Sequence, residues 1–331
     1  MLALWDTTGA EVVRKLAAER HSAGGVASGL ALTLVVVVEE ARVRAVEDAV
    51  TIAAASHPCR LIVVSRIAPP PGGDPADKGK DRLDAEIIVG GRLGPAEAVV
   101  LRMHGGVAQH AESVVMPLLA PDVPVVTWWH GAPPDRIDRD PLGVVAERRI
   151  TDVAQAADPM AALRQRATDY APGDTDLAWT RATPWRTLLA GAFDTVHDTV
   201  AGATVTAPPD DPTAALLAGW LCARLGVTPT LVPSGTGRIE EVAIALKDAT
   251  AGDSHLTLTR REGTAALTRT GSAERILPLV TRRLGEELAE ELRRLDADQP
   301  YAAALAAATG THGLDQRPAH RKVGGRELVT A

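Results

Sequence analysis

The sequence predicts an α/β protein of two lobes, each a largely parallel or mixed sheet covered by helices, joined by a helical middle segment. At 331 residues the chain exceeds the usual span of one domain. In its first half, apolar β-branched runs alternate with stretches of helical spacing, the order that builds βαβ units. Past residue 199 a second set of strand-like and helical stretches begins.

Taken in order, residues 9–20 place Val12, Val13 and Leu16 on one helical face. A Gly-rich connection leads to residues 30–38 (LALTLVVVV), apolar on both faces and so a central, two-sided strand. Residues 39–56 space Val43, Val46, Val50 and Ala54 for a helix, and residues 59–67 (CRLIVVSRI) form the next buried strand. That strand-helix-strand unit takes a right-handed crossover. Residues 68–82 are Pro, Gly and charge, hence a loop. Further strands are expected near 84–89, 98–103, 123–129 and 148–153, with a helix near 110–119.

Residues 154–195 read as mostly helical, with a loop at 168–184 (TDYAPGDTDLAWTRATP). The second lobe reads as a strand at 203–206, a helix at 212–225 closed by Gly226, and strands near 228–232, 240–247, 256–260 and 265–270. A last helix places Val280, Leu284, Leu288, Leu292 and Leu295 on one stripe. The expected boundaries are 1–153 for the N-terminal α/β domain, 154–198 for the connector and 199–310 for the C-terminal α/β domain. The polar tail, 311–331, is expected to be disordered.

Composition narrows the function. Hydrophobic residues make up 46% and charged residues 23%, ordinary for a soluble globular chain. Thirty-five basic against 42 acidic residues leave a net charge of −7, which argues against nucleic-acid binding. Cys59 and Cys222 stand far apart with no CxxC, so neither a disulfide framework nor a Cys-based zinc site is expected, and a reducing cytoplasm suits them. The N-terminus mixes acidic and basic residues too early for a secretory signal. The longest apolar run is about half of a membrane span, so no membrane partner is expected.

Motifs for chemistry are sparse. A dinucleotide or phosphate loop leaves a strand and opens a helix. Gly24, Gly25 and Gly29 lie between helix and strand, whereas Gly90, Gly91 and Gly94, like the PSGTG of 233–237, lie between strands. No cofactor site follows. There is no GxSxG elbow. His57 and Cys59 flank a proline, with Cys59 opening a buried strand, and His104 and His110 lack a third metal ligand.

The tryptophans say more. Trp128 and Trp129 end a strand side by side and must face opposite sides of it. Both are structural, or one meets a cleft or a neighbour at the strand's carboxyl end. The densest polar-aromatic cluster is DTDLAWTRATPWR, with Asp174, Asp176, Trp179, Arg181, Trp185 and Arg186. Two readings stand: a carboxylate or phosphate site in which the arginines stack and bind, or a brace in which the aspartates pin the loop. Arg149, in RRITD, joins these candidates.

Several of these stretches together resemble a known family. HPCRLIVVSR, LDAEIIVGGRLGPAEAVVLRMHG, MPLLAPDVPVVTWWHGAPP, RRITD, YAPGDTDLAWTRATPWRTLLA and LAEELRRLDADQPYAAAL are similar to OpcA-type glucose-6-phosphate dehydrogenase assembly proteins, in order from about residue 7 to 308. The resemblance implies N- and C-terminal α/β parts, no known catalytic activity and no catalytic residues to carry over. It implies binding to glucose-6-phosphate dehydrogenase, assembling or allosterically activating it at the first step of the oxidative pentose phosphate pathway. The alternative is a small-molecule protein or sugar-phosphate enzyme that uses the Trp/Arg cluster as an anion pocket.

Overall fold

A computed structural model describes residues 1–22, 29–67, 81–90, 97–194, 196–248, 252–323 and 326–329. The chain divides into two compact units, one of residues 1–152, 283–297 and 319–331, the other of 153–282 and 298–318. The stretch 154–198, expected as a connector, falls inside the second unit. Gly24, Gly25, Gly91 and Gly94, and nearly all of the 68–82 loop, lie outside the described residues.

In the first unit the elements are β1 (Leu2–Leu4), α1 (Gly9–Ser22), β2 (Leu32–Val38), α2 (Val43–Ser56), β3 (Cys59–Ile67), β4 (Arg82–Val89) and β5 (Glu97–His104). They continue as α3 (Gly106–Gln109), α4 (Ala111–Val115), β6 (Val125–Trp129), α5 (Pro141–Val144) and β7 (Arg148–Thr151). The strand order is β1-β4-β5-β3-β2-β6-β7. β5, β3, β2, β6 and β7 run parallel, while β4 and β1 add antiparallel at one edge. Parallel strands covered on both faces need apolar residues at every position. That is why LTLVVVV and VVTWW suit this sheet, with Val36 opposite both Val63 and Trp128.

The second unit holds α6 (Pro159–Asp169), β8 (Asp174–Asp176), α7 (Leu177–Phe193), β9 (Thr199–Ala207), α8 (Pro212–Leu225), β10 (Thr230–Pro233), β11 (Glu241–Asp248), β12 (Gly252–Arg261), β13 (Thr264–Arg269) and β14 (Arg275–Pro278). Its six-stranded sheet runs β10-β9-β11-β12-β13-β14, antiparallel except for β10 beside β9. Along β12 the side chains at 256 and 258 are buried and those between them are not, the alternation of a sheet covered on one face. That face packs on α7 and α8 through Trp185, Leu189, Leu217 and Leu221. Asp211 caps α8 by accepting from the Thr213 amide, and Gly226 closes it at φ 69°, as its position in the sequence predicts.

Two helices end the chain's main body: α9 (Leu284–Leu292) in the first unit and α10 (Gln299–Thr309) in the second. Leu288 and Leu292 of the predicted stripe are buried in α9, but Val280 precedes the helix and is 64% exposed. Gly219 of α8 faces α10 so closely that a Cβ there would sit 2.2 Å from the Ala304 carbonyl oxygen. In the tail, Leu314–Gln316 form a 3-10 turn with Leu314 buried, and β15 (His320–Val323) pairs with β16 (Arg326–Val329).

Candidate functional site

The predicted site residues fall into one group in each unit. In the first unit the chain leaves β2 for β3 on one side, and β6 lies on the other. Between β2 and β6 the direction of winding reverses, the place in an open α/β sheet where a crevice can form at the strands' carboxyl ends. Trp128 and Trp129 end β6 at this point and do face opposite sides, yet both are buried, at 0% and 3% exposure. Trp128 meets the His130 ring edge-on at 5.3 Å. The far edge of the Trp129 ring closes over Gly143, where a Cβ would already lie 2.1 Å from the Ile137 carbonyl oxygen. Neither Trp faces an open cleft, because the sheet is covered on both sides.

His130, half-buried, follows Trp129 at the carboxyl end of β6. Burial pushes its pKa below the ordinary 6.5, the Arg42 charge pushes the same way, and Asp152 and Glu39 pull it back. Its amide donates to the Val37 carbonyl at 2.9 Å, tying the end of β6 to β2. Arg149 is buried on β7 and donates to the Ala146 carbonyl at 3.3 Å. Its neighbour Arg148, equally buried, reaches Glu291 at 2.6 Å and the Asp296 carbonyl at 3.0 Å.

In the second unit the segment expected as a loop is a strand and then a helix. β8 ends in Asp176, whose carboxylate accepts from the Ala178 amide at 2.9 Å and caps α7, while its other oxygen accepts from the Val153 amide at 3.0 Å. α7 runs on through Pro184. Proline lacks the amide for a helical bond and crowds the carbonyl four residues back, so sequence alone argues for a break. Here the cap and two buried tryptophans on different faces hold the helix regardless.

Trp179 belongs to a small core with Tyr170, Tyr301 and Leu305; Trp185 belongs to the sheet core. The Trp179 indole N–H donates to Asp298 at 2.8 Å, and Asp298 also accepts from the Tyr301 amide at 3.0 Å, capping α10. Tyr301 packs 5.9 Å from the Trp179 ring. Burial, followed by the carboxylates of Asp176 and Asp174, holds its hydroxyl far above the ordinary pKa. Asp174 accepts from the Ala171 amide at 2.8 Å and shapes the turn before β8. The Arg186 guanidinium lies over the Trp179 ring, 3.4 Å from its centroid, and donates to Thr183 Oγ1 at 2.7 Å. Arg181 is half-buried on the same helix.

Sequence reasoning missed Asp298 and Tyr301, which join this cluster from 119 or more residues away. It missed Arg260 too, whose guanidinium lies 5.3 Å from the Trp185 centroid. Both cysteines are free, and burial raises the Cys59 thiol pKa to about 12, leaving no thiolate at neutral pH. Among the described residues no group of three His, Cys, Asp or Glu side chains is placed to hold a metal, and no helix is long and apolar enough to cross a membrane.

Two family models together match most of the chain. The N-terminal domain model of the glucose-6-phosphate dehydrogenase subunit matches residues 50–168, and the C-terminal domain model matches 172–305. No curated protein matches. Among solved structures, an oxidoreductase from Sinorhizobium meliloti is 9% identical with a TM-score of 0.41, over 86% of this chain and 96% of that one. An NAD binding oxidoreductase from Klebsiella pneumoniae is 12% identical with a TM-score of 0.40, over 91% and 100%. Those two likenesses are too loose to bear on fold or activity. The two domain models meet end to end across both units, and the chain belongs to the OpcA family of glucose-6-phosphate dehydrogenase assembly proteins.

Proposed function

We propose that this protein is a non-catalytic assembly factor and allosteric activator of glucose-6-phosphate dehydrogenase, acting in the cytoplasm. The reading rests on one observation, the consecutive match of both family domains from residue 50 to 305. NADP reduction then takes place on the partner, and this chain changes how much of the dehydrogenase is in its active form. Such a factor needs a rigid scaffold that presents a surface. The caps at Asp176, Asp211 and Asp298 and the buried Trp179 and Trp185 supply the rigidity.

Within that role the segment 174–186 borders the partner surface, with Arg181 and Arg186 as its contacting groups. Arginine is enriched at interface hot spots, and both side chains are half-buried on an anchored helix. Mixing the purified proteins at micromolar concentration tests the function. The dehydrogenase should elute as a larger species in size-exclusion chromatography, with altered kinetics. Unchanged elution and unchanged kinetics would overturn the proposal. Arg181→Ala should weaken activation about ten- to a hundredfold in the titration midpoint while the protein melts normally. Early melting with undiminished activation by the folded fraction would make the segment a brace alone.

A further inference from the structure

The second unit carries two neighbouring arginines, Arg238 and Arg260, that no carboxylate among the described residues neutralises. Arg260, next to last in β12, lies on the face of Leu256 and Leu258, whose side chains are buried against α7 and α8. Its guanidinium emerges where that core ends. It lies over the Trp185 ring, and Nε donates to the Ile239 carbonyl at 2.7 Å. Those two contacts engage its Nε and one face of the guanidinium. Arg238, one residue before Ile239, is exposed and close enough that its charge, after burial, lowers the Arg260 pKa. Among the described residues neither guanidinium has a carboxylate within ion-pair distance. The contrast with its neighbourhood is direct: Arg261 pairs with Glu274, and Arg269 with Asp198 at 3.2 Å.

The turn between β10 and β11 completes the setting. Ser234 Oγ and Thr236 Oγ1 lie 3.4 Å apart, and Thr236 donates to the Arg238 carbonyl at 3.1 Å. Gly235 and Gly237 stand in open space, so nothing crowds the approach. This turn does not open a helix, so it is not a phosphate loop of the helix-dipole kind. Its donors are side chains.

The geometry points to an anion site for a phosphate monoester, held by Arg238 and Arg260 with Ser234 as a supplementary donor. Two like charges close enough to repel, one of them half-buried, destabilise each other until an anion enters. Guanidinium groups bind phosphate oxygens through paired, charge-assisted hydrogen bonds. A carboxylate offers two oxygens and one charge, which a single arginine satisfies. A phosphate monoester offers three oxygens and up to two charges, which match the pair. The site is independent of the dehydrogenase reading, since binding is measured on this chain alone.

Calorimetric titration of the full chain with inorganic phosphate, glucose 6-phosphate and acetate, at matched ionic strength, tests it, with thermal melts in parallel. Both phosphates should bind and raise the melting temperature, and acetate should do neither. Arg238→Gln and Arg260→Gln should each weaken phosphate binding about tenfold or more. Arg238 is exposed, so its variant keeps the fold and serves even if Arg260→Gln melts early. Tighter binding of glucose 6-phosphate than of inorganic phosphate would extend the site to the sugar, and equal binding would confine it to the phosphoryl group; either supports it. Absence of phosphate binding, equal binding by both variants, or acetate binding as tightly as phosphate would overturn it.

Discussion

The two units house their arginines differently. In the first, Arg60 reaches Glu97 at 2.7 Å and Arg148 reaches Glu291 at 2.6 Å, all four side chains buried. The second also buries one pair, Arg166 with Asp169 at 3.3 Å, but there Arg186 and Arg260 lie instead over Trp179 and Trp185. The sheets explain part of this. A sheet covered on both faces offers a guanidinium no water, so each one inside it must carry its counter-charge with it. A sheet covered on one face lets an arginine at its end rest its flat side on a ring and keep its edge wet. An ion pair ties two residues together, so losing either leaves a buried charge. Among the described residues the Arg260 stack leaves no acid behind when the arginine is removed.

The largest effect should come from breaking a pair. Glu97 accepts from both Arg60 and Arg20, so Glu97→Ala strands one buried guanidinium and a second half-buried one. We expect a loss of about 3–5 kcal/mol in urea unfolding, and an unchanged midpoint would break the contrast. Trp179→Phe keeps much of the ring under Arg186 but removes the indole N–H donated to Asp298. A hydrogen bond to a charged acceptor supports a loss of about 1.5–3 kcal/mol in a thermal melt.

Smaller effects sharpen the contrast. His130 has its pKa lowered by burial beside β2, so the unfolded chain binds its proton first as pH falls. Its share of stability is complete above 6.5, the ordinary histidine value, and declines as pH drops through 6.5 toward the lower folded value. Unfolding midpoints across that window should flatten in His130→Asn; an equal slope in both proteins would remove His130 as the cause. Smallest of all, Arg260→Met should cost less than about 1 kcal/mol in the same urea assay, because no acid loses its partner. A cost like that of Glu97→Ala would mean that stacks and pairs brace this fold alike.

The residues that were legible in the sequence are those whose reasons are local. β2, β3 and β6 stand out because two-sided burial demands unbroken apolar runs, and α8 because Asp211 and Gly226 mark its ends. α7 was hidden. Its Pro184 and acid-rich approach read as a loop, and its two faces serve two different cores, so no single apolar stripe appears. The candidate site was half-visible for the same reason. Trp179, Trp185 and Arg186 cluster in sequence, but Tyr301, Asp298 and Arg260 reach them only through the fold. No spacing rule joins residues brought together from separate helices and strands.

The first unit is not a continuous piece of chain. It borrows α9 from beyond residue 282, with Gly285 so near α2 that a Cβ there would lie 2.7 Å from the Ala49 carbonyl oxygen. Its buried Arg148 finds its carboxylate, Glu291, on the same returning helix. A gene cut near residue 170, where the two family domains meet, would therefore yield an N-terminal fragment with α2 uncovered and a stranded internal charge. Such a fragment should be insoluble when expressed alone and rescued by supplying the remainder of the chain. Evolution can exchange these halves between relatives only if α9 and its landing site on α2 travel together.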